Sequence, residues 1–469
     1  MPDKDGDDKP DGAPQVLLDG WEHQDTHETL NAFIWGPDGW LYGCHGVFTH
    51  SAVGKPGDPP ERRQKINAGY WRYHPVRHQF EIFAEGCSNQ WGIDFDDRGQ
   101  AFATACVIPH LYHVIQGGRY QRQAGNHFNP YTYDDLKTIA DHRHYVGGNP
   151  HGGNNKSDGA GGGHAHCGAM VYLGGAWPAE YRNRIFFNNI HGARINMDVL
   201  EPKGSGYVGK HGPDFLLAND RWSQIMNLRY GPDGQAVMID WYDKQQCHTM
   251  NPAQHDASNG RIFKISYGKP EPVKVDLVKA SEDELVAHTL HKNDWFVRHA
   301  RKELQRRGPS PSVHSKLAKL LDLPDPTRVL RAMWALHATG GFTEDLALKL
   351  LAHENAFVRG WAVQLSCESA PAPAILAKME DLAKADPSAV VRKYLASAAG
   401  RLPLEKRRGV LEGLVARAED SDDHNLPLLI WYAVEPLAGS DLKTGAALAA
   451  KTKIPRVREF IARRLAAGK

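Results

Sequence analysis

The chain has 469 residues, with 56 Lys+Arg against 55 Asp+Glu. At roughly 150 residues per domain the length allows two or three domains, and the near-zero net charge gives no overall field for nucleic acid or an anionic membrane. No apolar run reaches the about 18 residues a membrane-spanning helix requires. The average conceals two polymers: residues 281–469 carry 29 Lys+Arg against 23 Asp+Glu and only 10 of the 46 glycines, whereas residues 1–280 are acidic and glycine-rich.

The chain starts Asp3-Lys4-Asp5-Gly6-Asp7-Asp8-Lys9-Pro10-Asp11, with neither the basic nor the apolar region of a secretory signal. Its carboxylates are spaced as in calcium loops, so Asp3, Asp5, Asp7 and Asp11 are candidate calcium ligands, with a solvated acidic terminus as the alternative. Residues 32–43, 91–102 and 227–237 then share one pattern. Each is an alternating apolar run, a turn (Pro37-Asp38-Gly39, Asp97-Arg98-Gly99, Pro232-Asp233-Gly234) and a second alternating run. Proline presets φ in such turns and glycine takes the positive-φ position, so each predicts a β-hairpin. Residues 168–173 and 184–188 predict another. Recurrence of such units predicts a β-propeller over 15–268. With four or five units against the about six of a complete propeller of this kind, it is expected to lack blades at its N-terminal side, as a piece of a longer protein would.

Eighteen of the 25 histidines precede residue 280. His164 and His166 alternate, so an extended segment turns both to one side, as a two-histidine metal clip requires; Asp220 or His191 could complete it. A polar anchor for the glycine-rich stretch 147–163 is the alternative. His45, His110, His248, His255, Asp256 and Arg261 add further polar groups to this half. Gly204-Ser205-Gly206-Tyr207-Val208-Gly209 has nucleotide-loop spacing, but His211-Gly212-Pro213-Asp214 cannot open a helix on a phosphate, so the segment reads as a loop. The six cysteines form no CxxC pair, which excludes a haem attachment site in this chain and leaves buried thiols.

After the Pro-interrupted linker 269–280, spacing turns helical. Arg298, Arg331, Arg359, Arg392 and Arg458 recur at steps of about 33 residues or twice that, each just after an Asn, an Asp-Pro or an Ile-Pro helix start. Residues 281–469 therefore resemble HEAT repeats: five or six helix pairs in a curved solenoid whose concave face is a binding surface, the arginines forming a ladder between repeats. The expected fold class is multidomain, with an acidic start (1–14), an all-β propeller (15–268), a linker (269–280) and an all-α HEAT-like solenoid (281–469).

The runs Asp25-Thr26-His27-Glu28-Thr29-Leu30-Asn31-Ala32, Ile108-Pro109-His110-Leu111-Tyr112, Gly161-Gly162-Gly163-His164-Ala165-His166, Asn188-Asn189-Ile190-His191-Gly192 and Asp240-Trp241-Tyr242-Asp243 closely resemble the membrane-bound dehydrogenase propeller family of planctomycetes and verrucomicrobia. That family is itself similar to soluble quinoprotein glucose and sorbosone dehydrogenases. The resemblance implies an oxidoreductase-type propeller acting on a sugar or polysaccharide-derived alcohol, in the periplasm or secreted. Its implied cofactors are pyrroloquinoline quinone (PQQ) and calcium, with electrons passed to a c-type cytochrome domain not present in this chain. It makes His27 the catalytic base and places Asn89, His191 and Arg261 around the cofactor or substrate. The pattern departs where Ser88 replaces an arginine, His191 a lysine, and Gln224 and Met226 two arginines. The cationic clamp for the quinone's carboxylates is therefore largely absent, and burying carboxylates unpaired is costly. The other reading is a non-catalytic carbohydrate-binding propeller with Trp40, Trp71, Trp91, Trp177, Trp222 and Trp241 as stacking surface, and a protein partner on the solenoid.

Overall fold

The computed structural model describes residues 9–25, 28–147, 156–245, 249 and 251–468. Asp3, Asp5, Asp7, His27 and His248 lie outside the described residues, and Asp11 is exposed.

The first sheet is a meander. Strands β1 (Asn31–Trp35) and β2 (Leu41–His45) are followed by a side hairpin of β3 (Ser51–Val53) and β4 (Gln64–Ile66), then by β5 (Gly69–His74) and β6 (Gln79–Cys87). A second sheet holds β7 (Ile93–Phe95), β8 (Ala101–Ala103) and β9 (Tyr112–Val114), after which β10 (Arg119–Arg122) returns parallel to β6. The third contains β11 (His166–Val171), β12 (Arg184–Asn189), β13 (Arg194–Lys203) and β14 (Gly206–His211), with β15 (Leu216–Leu217) beside β13. The fourth is β16 (Ile225–Tyr230), β17 (Ala236–Asp240) and β18 (Arg261–Ile265).

The predicted hairpins are β1–β2, β7–β8, β11–β12 and β16–β17. Their turn glycines Gly39, Gly99 and Gly234 sit at φ of +85°, +70° and +73°, where a side chain would be strained. Inner strands β1, β7, β11 and β16 contact one another in succession. Arg229 of β16 also donates to the Phe33 carbonyl of β1 at 3.2 Å, so the fourth sheet reaches back to the first. These are four propeller-type sheets without a closed barrel. The glycine-rich segment 204–209 is not a loop: Lys203 pairs with Gly206 across a tight turn, and β14 follows.

Twelve helices among the described residues make six pairs: α1 (Glu282–His288) with α2 (Asp294–Arg307), α3 (Pro311–Lys319) with α4 (Pro326–Ala338), α5 (Glu344–Leu351) with α6 (Ala356–Ser366), α7 (Pro373–Ala385) with α8 (Ala389–Arg401), α9 (Leu404–Val415) with α10 (Leu426–Ser440), and α11 (Leu442–Lys451) with α12 (Pro455–Ala466). Asn293, Asp325 and Asn355 cap the second helices as their positions predict. Asp386 departs from the pattern. Ser388 takes the N-cap position of α8, while the Asp386 carboxylate accepts the Ser388 amide at 2.8 Å and also receives Arg359 at 2.7 Å. Arg392 does the same to Asp420 at 2.6 Å, so these arginines are rungs between successive repeats.

The second helices stack on one another as one layer, and that layer packs against the propeller. Arg301 and Gln305 donate to the Gly36 and Gly39 carbonyls, Asn293 to Gly231 and Pro232, and Trp361 to Arg98. All three Asp-Gly-type turns are thus held by the solenoid. Arg298 pairs with Asp94 at 2.8 Å and Arg331 with Asp97 at 3.2 Å. One apolar core runs from Ile34 through Trp334 and Trp361 to Ile461. This chain's own propeller covers the second-helix layer. No helix among the described residues is long and apolar enough to cross a membrane.

Candidate functional site

The quinone-type residues stand on separate elements. Asn89 lies between β6 and β7, bridged to Cys106 through the backbone, with a buried Oδ1 that lacks a hydrogen-bond partner. His191, in the turn between β12 and β13, stacks on His164 with ring centroids 4.4 Å apart. Arg261 begins β18, where it pairs with Asp240 at 2.6 Å and lies 3.6 Å over the Tyr242 ring. Glu28, adjacent to His27, is fully buried; its Oε2 accepts from the Phe48 amide at 2.7 Å, and burial pushes its carboxyl up to about 7.

A second group of side chains converges between the second and third sheets. His110 comes from the β8–β9 connection, His142 and His144 from the β10–β11 connection, Asp198 from β13, and His166 opens β11. His110 Nε2 is 2.9 Å from Asp198 Oδ2, and His142 Nε2 is 3.3 Å from Asp198 Oδ1. His142 Nε2 also lies 3.2 Å from His144 Nε2, and His144 Nδ1 2.9 Å from His166 Nε2. The wall is apolar: the Phe187 ring is 5.2 Å from His110 and 5.4 Å from His166. Toward the surface, His211 stacks on His142 at 5.0 Å. His110, His142, His144 and Asp198 each offer a ligand atom within 4.8 Å of the others, so these four could hold a metal.

Burial governs the charges. It pulls the His144 and His166 imidazoles far below their usual range, with no carboxylate to oppose it, so both rings are neutral at pH 7. It also lowers His110, against the opposing pull of Asp198. For His142 burial is outweighed by Asp198 and Asp141, which raise it, and the two histidines together hold Asp198 low despite its burial.

His166 thus stands beside this cluster, while His164 turns away to His191. His142, His144, Asp198 and Glu28 carried no role in the sequence reading, although His142 and His144 repeat the His-x-His spacing noted at 164 and 166. The donor set does not suit calcium, which takes oxygen ligands. Nor are the propeller's arginines free for the quinone: Arg261 is committed to Asp240, and Arg194 to Asp158 and Asp214.

Among solved structures, the chain is similar to a PQQ-bound aldose sugar dehydrogenase from Streptomyces coelicolor, at 14% identity and a TM-score of 0.31, over 50% of this chain and 61% of that one. It is similar to a glucose dehydrogenase at 13% identity and a TM-score of 0.29, over 52% and 83% of the two chains. The third likeness is to a computationally designed armadillo repeat protein for modular peptide recognition, at 14% identity and a TM-score of 0.28, over 40% of this chain and 100% of the other. The chain thus spans about three fifths of the Streptomyces enzyme's length. No curated protein matches it. The domain of unknown function DUF7133 matches residues 1–269, more than half of the chain, and the protein belongs to that family.

Proposed function

We propose that the propeller is the reaction domain of an oxidoreductase acting on a hydroxylated, sugar-like molecule, with the His110, His142, His144 and Asp198 cluster as its working centre. The observation that carries this reading is the convergence of His142 Nε2, His144 Nε2 and Asp198 Oδ1 on one buried space. Such a gathering of acceptors takes up positive charge, and oxidation of an alcohol to a carbonyl releases protons that must be received. The substrate class comes from the family resemblance, as does a periplasmic or secreted location. The electron pair has no acceptor among these side chains, so the reading requires a two-electron acceptor of the quinone or dye class to take it up, with a c-type cytochrome outside this chain as the downstream one-electron partner. The purified full chain, assayed for dye reduction with aldoses and sugar alcohols, with and without added PQQ and divalent metals, should show turnover that Asp198→Asn abolishes. Absence of dye reduction across that panel, or an unimpaired Asp198→Asn, overturns the reading.

One observation favours carbohydrate binding without turnover. Trp222 is 44% exposed and its ring lies 5.7 Å from Tyr242, an aromatic pair open to a sugar face beside Arg261. Glycan-array binding lost on Trp222→Ala, with no dye reduction, would support it.

A further inference from the structure

The hydrogen positions in the histidine cluster follow from its partners. The Ala105 carbonyl, 3.3 Å from His166 Nδ1, can only accept, so His166 Nδ1 carries its hydrogen. The neutral His166 ring then presents a lone pair on Nε2, and His144 Nδ1 donates to it at 2.9 Å. His144 Nε2 is left as a lone pair directed at His142. The Asp141 carboxylate, 3.1 Å from His142 Nδ1, takes the hydrogen on that side, so a His142 ring with a single hydrogen also directs a lone pair inward. Asp198 Oδ1 completes the convergence: it is buried, and no aligned hydrogen bond reaches it.

With one hydrogen on each ring, three acceptors face one another at 3.2 and 3.3 Å with no donor among them. A second proton on His142 would satisfy one neighbour and leave the other orphaned. A cation satisfies all three at once. Ligands at tetrahedral angles on a metal with bonds of about 2.05 Å are about 3.3 Å apart, which is the spacing found here.

We propose that His142 Nε2, His144 Nε2, one ring nitrogen of His110 and the Asp198 carboxylate bind a divalent first-row transition metal ion, with His166 as a positioning residue. The inference rests on the reading that this cluster is the working centre, and it names the ion held there. Three imidazoles and one carboxylate suit zinc, iron, copper or nickel and disfavour calcium and magnesium. The chain Ala105 carbonyl–His166–His144 is the outer support that metal-binding imidazoles use to fix tautomer and ring orientation. Bound there, the ion supplies Lewis acidity.

The test uses the full chain stripped with chelator and titrated with Co²⁺, followed by its visible absorption and by metal analysis. One Co²⁺ per chain is expected, displaced by Zn²⁺ and not by Ca²⁺. Asp198→Asn and His144→Gln should each lose binding by at least about 100-fold, and His166→Gln should weaken it about 10- to 100-fold while keeping the ligands. His50→Ala, an exposed histidine outside the cluster, should bind as the parent does. Circular dichroism confirms folding. A folded parent that binds neither Co²⁺ nor Zn²⁺ at one per chain overturns the proposal, as do ligand variants that bind normally. If both ligand variants unfold, an unchanged affinity in His166→Gln overturns it. Binding is read without substrate: one-to-one binding without dye reduction defeats the oxidoreductase reading alone, and dye reduction by protein that binds neither Co²⁺ nor Zn²⁺ at one per chain defeats the metal alone.

Discussion

Arg72 of the propeller and Glu368 of the solenoid form an ion pair at 2.9 Å with both side chains buried. Arg72 also donates to Asp38 at 3.0 Å and to Glu81 at 2.7 Å, while Trp40 stacks 4.0 Å from the guanidinium and donates its indole N–H to Glu368 at 2.9 Å. One cation thus joins the two halves of the chain. Removing it leaves Asp38 as an uncompensated buried carboxylate and Glu368 with only the longer Arg77 and Arg401 contacts, so Arg72→Met should cost about 3–5 kcal/mol in urea denaturation. Arg72→Met combined with Glu368→Gln should recover part of that loss; a double variant no more stable than the single one would contradict the assignment.

The same contacts set an acid limit. Burial tends to raise the Glu368 carboxyl, but Arg72 and Arg401 prevail and hold it at about 2, against 4.5 for the free group. Asp294 is held at about 2, against 3.8, as Arg298 and Arg331 outweigh its burial. Carboxyls depressed in the folded state stabilise it above their unfolded values, and that contribution is lost as pH falls toward the folded ones. Melting temperatures should therefore drop between about pH 4.5 and pH 2, with a shallower acid limb in Glu368→Gln.

Lys393 of α8 has the opposite sign. It is buried with its Nζ 2.5 Å from Gln100 Oε1, and burial pushes it down to about 7, against 10.5, despite the pull of Asp96 and Asp423. A base depressed in the folded state costs stability as pH falls from 10.5 toward 7. Lys393→Met should stabilise the protein by about 1–3 kcal/mol at pH 7, and the gain should shrink toward pH 10. Paired thermal melts at the two pH values check it.

Gly99 is fitted between two tryptophans. A Cβ at this position would sit 2.6 Å from both the Trp334 and the Trp361 rings, at a φ of +70°. Gly99→Ala should cost about 1–3 kcal/mol and alter tryptophan fluorescence, because both strain and overpacking act at the seam between the halves.

Expressed without the helices, residues 1–275 should be insoluble or bind a hydrophobic dye, since the shared core would be exposed. A soluble, cooperatively melting propeller fragment would contradict the dependence of the propeller on the shared core.

Local periodicity and punctuation were legible in the chain itself. Alternation with Gly39, Gly99 and Gly234 marked the hairpins, and Asn293, Asp325 and Asn355 marked helix starts, because strand pleat, turn geometry and capping each involve only neighbouring residues. Only the tertiary structure decided that the second-helix layer of the repeats packs against the propeller. It also decided that His110 meets Asp198, 88 residues away, and that His144 meets His166, 22 residues away. Those partnerships depend on how separate sheets pack, and sequence spacing contains no term for that. The His-x-His pattern at 142 and 144 could have been found beside the one at 164 and 166. The carboxylate that joins it sits within an ordinary alternating strand, where nothing but its burial distinguishes it.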